Sequence, residues 1–295
     1  MSDQIELTKA EKLKVFLITV LPHHLISRLV YFITRLHGPV VHPMIVFFIK
    51  KFKVDMTDSA YENTKVFKTF NEFFTRPLKA NARPIVKGKN TLACPVDGTI
   101  SEAGSIQQRQ IFQAKGYDYT TTELLGGDAS MAALFENGKF ATIYLAPNNY
   151  HRVHMPLRGL LKKMIHVPGR LFSVAPWTVR TIPGIFTSNE RVVCLFATEG
   201  GPICIVLVGA INVAAIETVW AGLITPPKGK KISDFEYNHT RKIYSKGEEM
   251  GRFNMGSTVI LLTAKNVEWL QKTRAGQTVK MGELIGHFPL KKKPA

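Results

Sequence analysis

Apolar and polar positions are arranged in two different ways along this chain. Over residues 12–54 the apolar residues fall in short runs, 15–21, 29–33 and 44–49, punctuated by Lys12, Lys14, Arg28, Arg35, Lys50, Lys51 and Lys53, with no acidic residue among them. Each run is shorter than the ~20 apolar residues a membrane-spanning helix needs. Pro22, Gly38-Pro39 and Pro43 divide the segment into three short helices, the first opened by the capping-box pattern Thr8-Lys9-Ala10-Glu11. Residues 55–79 read as a linker with short helices, where Thr69-Phe70-Asn71-Glu72 forms a second capping box before Phe73-Phe74. From Pro84 onward, short apolar runs alternate with Gly, Pro and Asn turns. Residues 141–146, 192–197, 203–208, 213–219 and 259–263 are predicted strands. A helix is predicted near residues 121–137, and a further strand pair over residues 276–288 around Gly282-Glu283. The expected fold is α+β, with a helical segment and linker over residues 1–68 and a β-rich domain over residues 69–295.

Charge gives the helical segment a meaning. The 295 residues carry 39 Lys and Arg against 22 Asp and Glu, a formal charge of +17, while 45% of residues are hydrophobic. Such a balance excludes a disordered or acidic solvating chain and implies an anionic partner, nucleic acid or membrane. Helices with apolar faces and basic edges suit a membrane interface better than a transmembrane anchor. The alternative is that they cover the protein's own core. The segment lacks the small-residue cleavage site of a secretory signal. Cys94, Cys194 and Cys204 form no C-x-x-C pair, so reduced thiols packed as small apolar side chains are expected.

Three stretches can carry chemistry. Asp97 stands in Cys94-Pro95-Val96-Asp97-Gly98-Thr99, where it could be simply a turn aspartate. In Tyr150-His151-Arg152-Val153-His154-Met155-Pro156, two histidines three apart can face one site, with Arg152 near to meet an anion. A His-x-x-His pair can also ligate metal, but no Cys, Asp or Glu stands beside it at ligand spacing, and no metal is expected. The third stretch is Gly247-Glu248-Glu249-Met250-Gly251, followed by Gly256-Ser257-Thr258 ahead of an apolar run. Met255 and Val259 occupy the glycine positions of a G-x-S-x-G nucleophile elbow, which argues against a lipase of that type.

Together these stretches resemble the phosphatidylserine decarboxylase family, pyruvoyl-dependent enzymes that make phosphatidylethanolamine. The resemblance runs from about Asn71 to the C-terminus. It also takes in Arg76-Pro77-Leu78-Lys79, Arg83-Pro84-Ile85 and Ile216-Glu217-Thr218-Val219-Trp220. One departure is Met255, where the family usually has Leu, a swap close in volume.

The resemblance implies a self-cleavage triad of Asp97, His154 and Ser257. Asp97 would orient the imidazole, His154 would take the hydroxyl proton, and Ser257 Oγ would attack the carbonyl of Gly256, which a side chain would crowd. The resulting ester would lose its acyl group by β-elimination, and the dehydroalanine left behind would hydrolyse to a pyruvoyl group and ammonia. Chains 1–256 and 257–295 would result. The pyruvoyl cofactor derived from Ser257 would form a Schiff base with phosphatidylserine and accept the electrons left as CO₂ departs. His151 matches the family's decarboxylation histidine, as a ring protonated near neutral pH that reprotonates the carbanion or as a holder of the substrate carboxylate. The resemblance further implies a heterodimer of the two chains, itself paired, peripheral on the cytoplasmic face of a bacterial membrane. Two rival classes are a nucleic-acid-binding protein, which lacks a helix-turn-helix, zinc-finger or RNP signature here, and a membrane hydrolase using the same Asp, His and Ser without cutting itself.

Overall fold

A computed structural model describes residues 8–114, 117–211, 215–226 and 231–289; the side chains of residues 9–14 and 114 lie outside that set, and with them Glu11 of the expected first capping box. Three helices open the chain: α1 (Lys9–Val20), α2 (His23–Ile33) and α3 (Val41–Phe52). Pro22 precedes α2, and Gly38, at φ +102°, turns the chain toward α3. Pro43 does not divide the segment as expected. It lies in the first turn of α3, where a missing N–H breaks no intrahelical bond. Among the described residues, no helix is long and apolar enough to cross a membrane.

Helix α3 buries Val41, Ile45 and Phe48, the 4-and-3 spacing of one helical face, against α4 (Phe70–Phe74). Thr69 caps α4 by accepting the Glu72 N–H at 3.1 Å, but the Glu72 carboxylate accepts from Lys68 N–H and not from Thr69, so the expected box is half formed. Phe48, Phe67, Phe70, Phe73 and Phe74 make an aromatic cluster, with Phe48 and Phe70 edge to face at 5.1 Å. Met255, next to the expected cleavage site, packs against it.

The body is a nine-stranded antiparallel sheet. Its spatial order runs Ser233–Glu236, Gly159–Val167, Arg191–Thr198, Gly201–Val208, Ser257–Thr263, Lys139–Leu145, Gly98–Ser105 and Thr278–Val279, with Ile243–Tyr244 also on Gly159–Val167. Ser257–Thr263 is central and every residue of it is buried, as expected of an apolar run without polar alternation. Each fully buried Val, Leu or Ile there contributes about 1.5–3 kcal/mol. A four-stranded sheet joins Gly222–Leu223, Ile216–Thr218, Glu249–Phe253 and Arg152–His154, and a three-stranded one joins Thr91–Ala93, Leu284–His287 and Glu268–Trp269. All three cysteines are free and buried. The α+β expectation holds.

Several local expectations change. The single helix near residues 121–137 is two short ones, Thr121–Leu124 and Ala129–Ala133, because Gly126 and Gly127 between them take positive φ. The strand expected over residues 213–219 is only Ile216–Thr218, with residues 212–214 outside the described set. Residues 276–288 are not a strand pair with each other: Thr278–Val279 joins Gly98–Ser105, while Leu284–His287 joins Thr91–Ala93. The turn between them reaches the site described next.

Candidate active site

Ser257 begins the central strand, opposite Leu145 of the neighbouring one. It is fully buried, and its Oγ has no hydrogen-bond partner among the described residues. A buried hydroxyl without a partner costs about 1–3 kcal/mol; the adjacent Thr258 hydroxyl is in the same state, and what sets Ser257 apart is its place directly after Gly256. Gly256 lies between the bend at Asn254 and Met255 and this strand. A Cβ built there would be 3.5 Å from the Leu145 carbonyl oxygen and 3.7 Å from His151 Nε2, both ordinary contacts, so no residue brought in from elsewhere in the chain excludes a side chain at this position. These distances place an imidazole nitrogen beside Gly256.

The two histidines do not share partners. Three residues apart in extended backbone, they turn to opposite sides. His151 donates from Nδ1 to the Asn149 carbonyl at 2.8 Å, which leaves Nε2 with its lone pair; that atom is buried and unpartnered. Phe74 of α4 lies against the ring at 4.2 Å between centroids, so the aromatic cluster walls one side of the site. Burial pushes the His151 pKa down to about 3, aided by the Arg76 charge and opposed by the Asn149 bond. The expectation of a ring protonated near neutral pH therefore fails for the uncut chain, because a buried imidazole is costly to charge.

His154 ends the strand Arg152–His154 and donates its backbone N–H to Pro95 O at 2.9 Å, which brings it beside the Asp97 turn. Its Nδ1–H donates to Gly247 O at 2.9 Å, and its Nε2 accepts from the Tyr150 hydroxyl at 3.1 Å. Burial lowers its pKa, while the Gly247 bond and the charges of Glu249 and Asp97 raise it. Among the described residues, no hydrogen bond joins Asp97 to His154 or His154 to Ser257. Asp97 is instead clamped by Arg83, through Nε at 3.0 and 3.1 Å and Nη2 at 2.6 Å, and by the Met281 N–H at 2.8 Å. Arg83 also reaches Asp58 at 2.6 Å, and these two carboxylates hold its guanidinium charged. Gly98 makes the turn possible: a Cβ there would meet Tyr144 O at 2.4 Å. Asp97 thus acts on the His154 ring through its charge, and the Gly247 carbonyl supplies the orienting contact expected of Asp97.

Other side chains take unexpected places. Arg152, expected to meet an anion, is occupied by Glu249 at 2.8 Å and the Thr75 carbonyl at 2.9 Å. Arg76 is the available cation. It is 4% exposed, its Nε has no partner, and it makes no ion pair among the described residues, resting over the Phe73 ring at 5.4 Å. Beside Gly256 opens a cavity of about 100 Å³ walled by Phe48, Phe52, Phe74, Leu145, Val174 and Met255. Arg76, Tyr150 and Arg83 stand in the stretches that carry the resemblance but were given no role from the sequence; burial of a cation and contacts across the chain give them one.

The neutral histidines set a pH dependence. His151 takes up a proton near its ordinary 6.5 when unfolded, but only near 3 when folded. Between those values only the unfolded state gains the proton. Its contribution to stability is therefore whole above about pH 6.5 and is lost as pH falls toward 3. Ser257→Ala protein is expected to lose up to about 1.4 kcal/mol per pH unit through this residue across that window. His154 and His23, both lowered by burial, add in the same direction. Thermal unfolding from neutral to acid pH measures it. His151→Gln should flatten the slope, and an unchanged slope would place the acid sensitivity elsewhere.

Known proteins share this chain's sequence over most of its length. A family described as phosphatidylserine decarboxylase matches residues 70–287, and a second, described as PSD, matches residues 13–53. Proteins named phosphatidylserine decarboxylase proenzyme resemble it closely. That of Alkalilimnicola ehrlichii is 53% identical over 263 residues, covering 88% of this chain and 91% of the relative. That of Ectopseudomonas mendocina is 48% identical over 286 residues, covering 95% and 100%. That of Bordetella pertussis is 49% identical over 269 residues, covering 90% of each.

Proposed function

The chain belongs to the phosphatidylserine decarboxylase family, and on that premise we propose that it is a self-cleaving proenzyme that converts phosphatidylserine to phosphatidylethanolamine. The observation that carries the reading is the buried Ser257 hydroxyl directly after Gly256, unpartnered among the described residues, with the unpartnered Nε2 of His151 beside Gly256. In self-cleavage, Ser257 Oγ forms a bond to the Gly256 carbonyl carbon as its proton leaves for His154. The C–N bond then breaks, the Ser257 nitrogen takes the proton, and an ester remains. Loss of the Ser257 α-proton and expulsion of the Gly256 carboxylate complete the cut. His154 Nε2 already accepts from Tyr150, so that hydroxyl must either pass the proton along or swing aside.

The residues at position 257 fit a pyruvoyl group: the hydroxyl makes no bond that its loss would break, and strand pairing holds the backbone. Such a group supplies an electron-accepting carbonyl for decarboxylation. His151, held neutral, has a free lone pair at Nε2 and serves first as a base. It takes a proton from the substrate ammonium and later returns one to the carbon that has lost CO₂. A neutral ring holds a carboxylate poorly, so the charge facing the anionic substrate is that of Arg76. Phe48, Phe52 and Met255 line the apolar cavity beside Gly256 and suit the lipid end of the substrate.

The division of labour follows the chain. Residues 1–68 form a membrane-associating segment and residues 69–295 the catalytic domain. Exposed Leu25, Leu29, Phe32 and Phe47, with basic neighbours and no acids, favour peripheral attachment to an anionic membrane at its cytoplasmic face. The two cut chains stay together because Ser257–Thr263 is central to the sheet, and the resulting unit pairs with a second copy. Purified wild-type protein is expected to give two masses, for residues 1–256 and 257–295, the small chain lacking an N-terminal amine. A single mass near 33.0 kDa would favour the hydrolase that uses the same residues uncut.

A further inference from the structure

Away from the reacting peptide, a cavity of about 870 Å³ opens between helix α2 and the loop around Gly169. Its wall includes His23, His24, Arg28, Arg170, Ser188 and Glu190. His24 and Arg28 stand one turn apart on α2. His24 Nε2–H donates to Gly169 O at 3.0 Å, which fastens the helix to the loop carrying Arg170. Arg28 and Arg170 are exposed and, among the described residues, enter no ion pair. Glu190, which also lines the cavity, has its carboxylate buried against His166 Nε2 at 3.0 Å and, among the described residues, forms no ion pair with either arginine. His23 is 3% exposed, packed edge-on to Phe172 at 5.2 Å, and its Nε2 has no partner. The cavity therefore combines two guanidinium groups outside any ion pair, that of Arg170 resting over the Phe172 ring at 5.9 Å, with the N-terminus of an eleven-residue helix that no side chain caps. All of these suit an anion.

The surroundings say which anion. Leu21 lines the cavity, and Leu25, Leu29 and Phe32 continue from it along α2, with Leu25 and Phe32 each 67% exposed. A cationic hollow bordered by an exposed apolar ridge matches a phosphate attached to acyl chains better than a phosphate free in water. We infer that this cavity binds the headgroup phosphate of an anionic phospholipid other than the molecule being decarboxylated, and so docks helix α2 on the membrane. The site goes beyond the decarboxylation reading, since its residues are distinct from those around Gly256.

The test is sedimentation of the wild-type enzyme with vesicles of phosphatidylglycerol in phosphatidylcholine, against phosphatidylcholine alone. Arg28→Gln with Arg170→Gln should weaken binding to the phosphatidylglycerol vesicles by roughly tenfold or more, because neither side chain then brings a cation to the headgroup. Lys50→Gln with Lys51→Gln removes the same charge from the end of α3 and should cost a few-fold at most. Equal losses from the two charge pairs, or no preference in the wild type, would overturn the site in favour of diffuse attraction. Inorganic phosphate raising the Tm of the wild type but not of the arginine pair would overturn the lipid assignment in favour of a free phosphate. Self-cleavage of each variant reports folding, and the exposed single change Arg28→Gln repeats the measurement if a pair fails. Decarboxylation of substrate dispersed in neutral detergent should stay unchanged in the arginine pair, so loss of vesicle binding is distinguishable from failure of the catalytic reading.

Discussion

Ser257→Ala is expected to remain a single chain of 33.0 kDa under conditions where the wild type is completely cut, and to release no CO₂ from phosphatidylserine. Alanine removes the only atom of residue 257 that can attack the Gly256 carbonyl, and with it the source of the electron-accepting group. The fold should tolerate the change, since the lost Oγ makes no hydrogen bond. His154→Ala should slow cutting by about 10²–10⁴-fold, the usual worth of a positioned proton acceptor. Asp97→Asn should be milder, because Asp97 reaches the ring through its charge and not through a hydrogen bond. Its larger effect is on the clamp with Arg83 and the Met281 N–H. Intact mass at successive times after synthesis measures all three. Appearance of both chains from Ser257→Ala would show that another protease makes the cut and would sink the assignment.

His151→Ala is expected to cut itself nearly as the wild type does, yet to lose about 10²–10⁴-fold in decarboxylation. The ring touches the Gly256 position, but its Nε2 is not hydrogen-bonded to Ser257. Removing it leaves His154 as the acceptor for the first reaction and nothing to move protons in the second. Loss of the ring also removes the face against Phe74, so unfolding temperature should be measured alongside CO₂ release. A stable, fully cut His151→Ala enzyme with wild-type turnover would exclude His151 from the chemistry. If the ring acts first as a base, activity should fall as pH drops and the substrate-bound ring is protonated beforehand.

Much of the candidate site is legible because it is written in short stretches. Gly256 and Ser257 adjoin, His151 and His154 are three apart, and Asp97-Gly98 is a turn on any reading of that dipeptide. The central strands are legible for a similar reason: uninterrupted runs such as Val259-Ile260-Leu261-Leu262 can only be buried, whatever covers them. The breaks that the sequence misplaces are backbone details. Pro43 is tolerated because it falls in a first turn, and the helix near residue 126 is split by two glycines at positive φ.

The partners of those residues are another matter. Asp97 is held by Arg83, 14 positions away, and by Met281, 184 positions away; His154 is held by Gly247, 93 positions away. No local pattern encodes such contacts, because they arise when separate strands are laid side by side. The same holds for protonation. A histidine in sequence has an ordinary pKa near 6.5, and only the packing of Phe74 and the surrounding sheet excludes the water that would solvate a charged His151. Arg152 and Arg76 are equivalent cations in sequence, and differ because Glu249 and Thr75 hold the one while the Nε of the other has no partner. The sequence by itself determined which atoms can react, since that is a property of residue type and adjacency. Tertiary structure alone decided which of them are neutral, which are paired and which are free, since desolvation and hydrogen bonding depend on what the rest of the chain brings within a few ångströms.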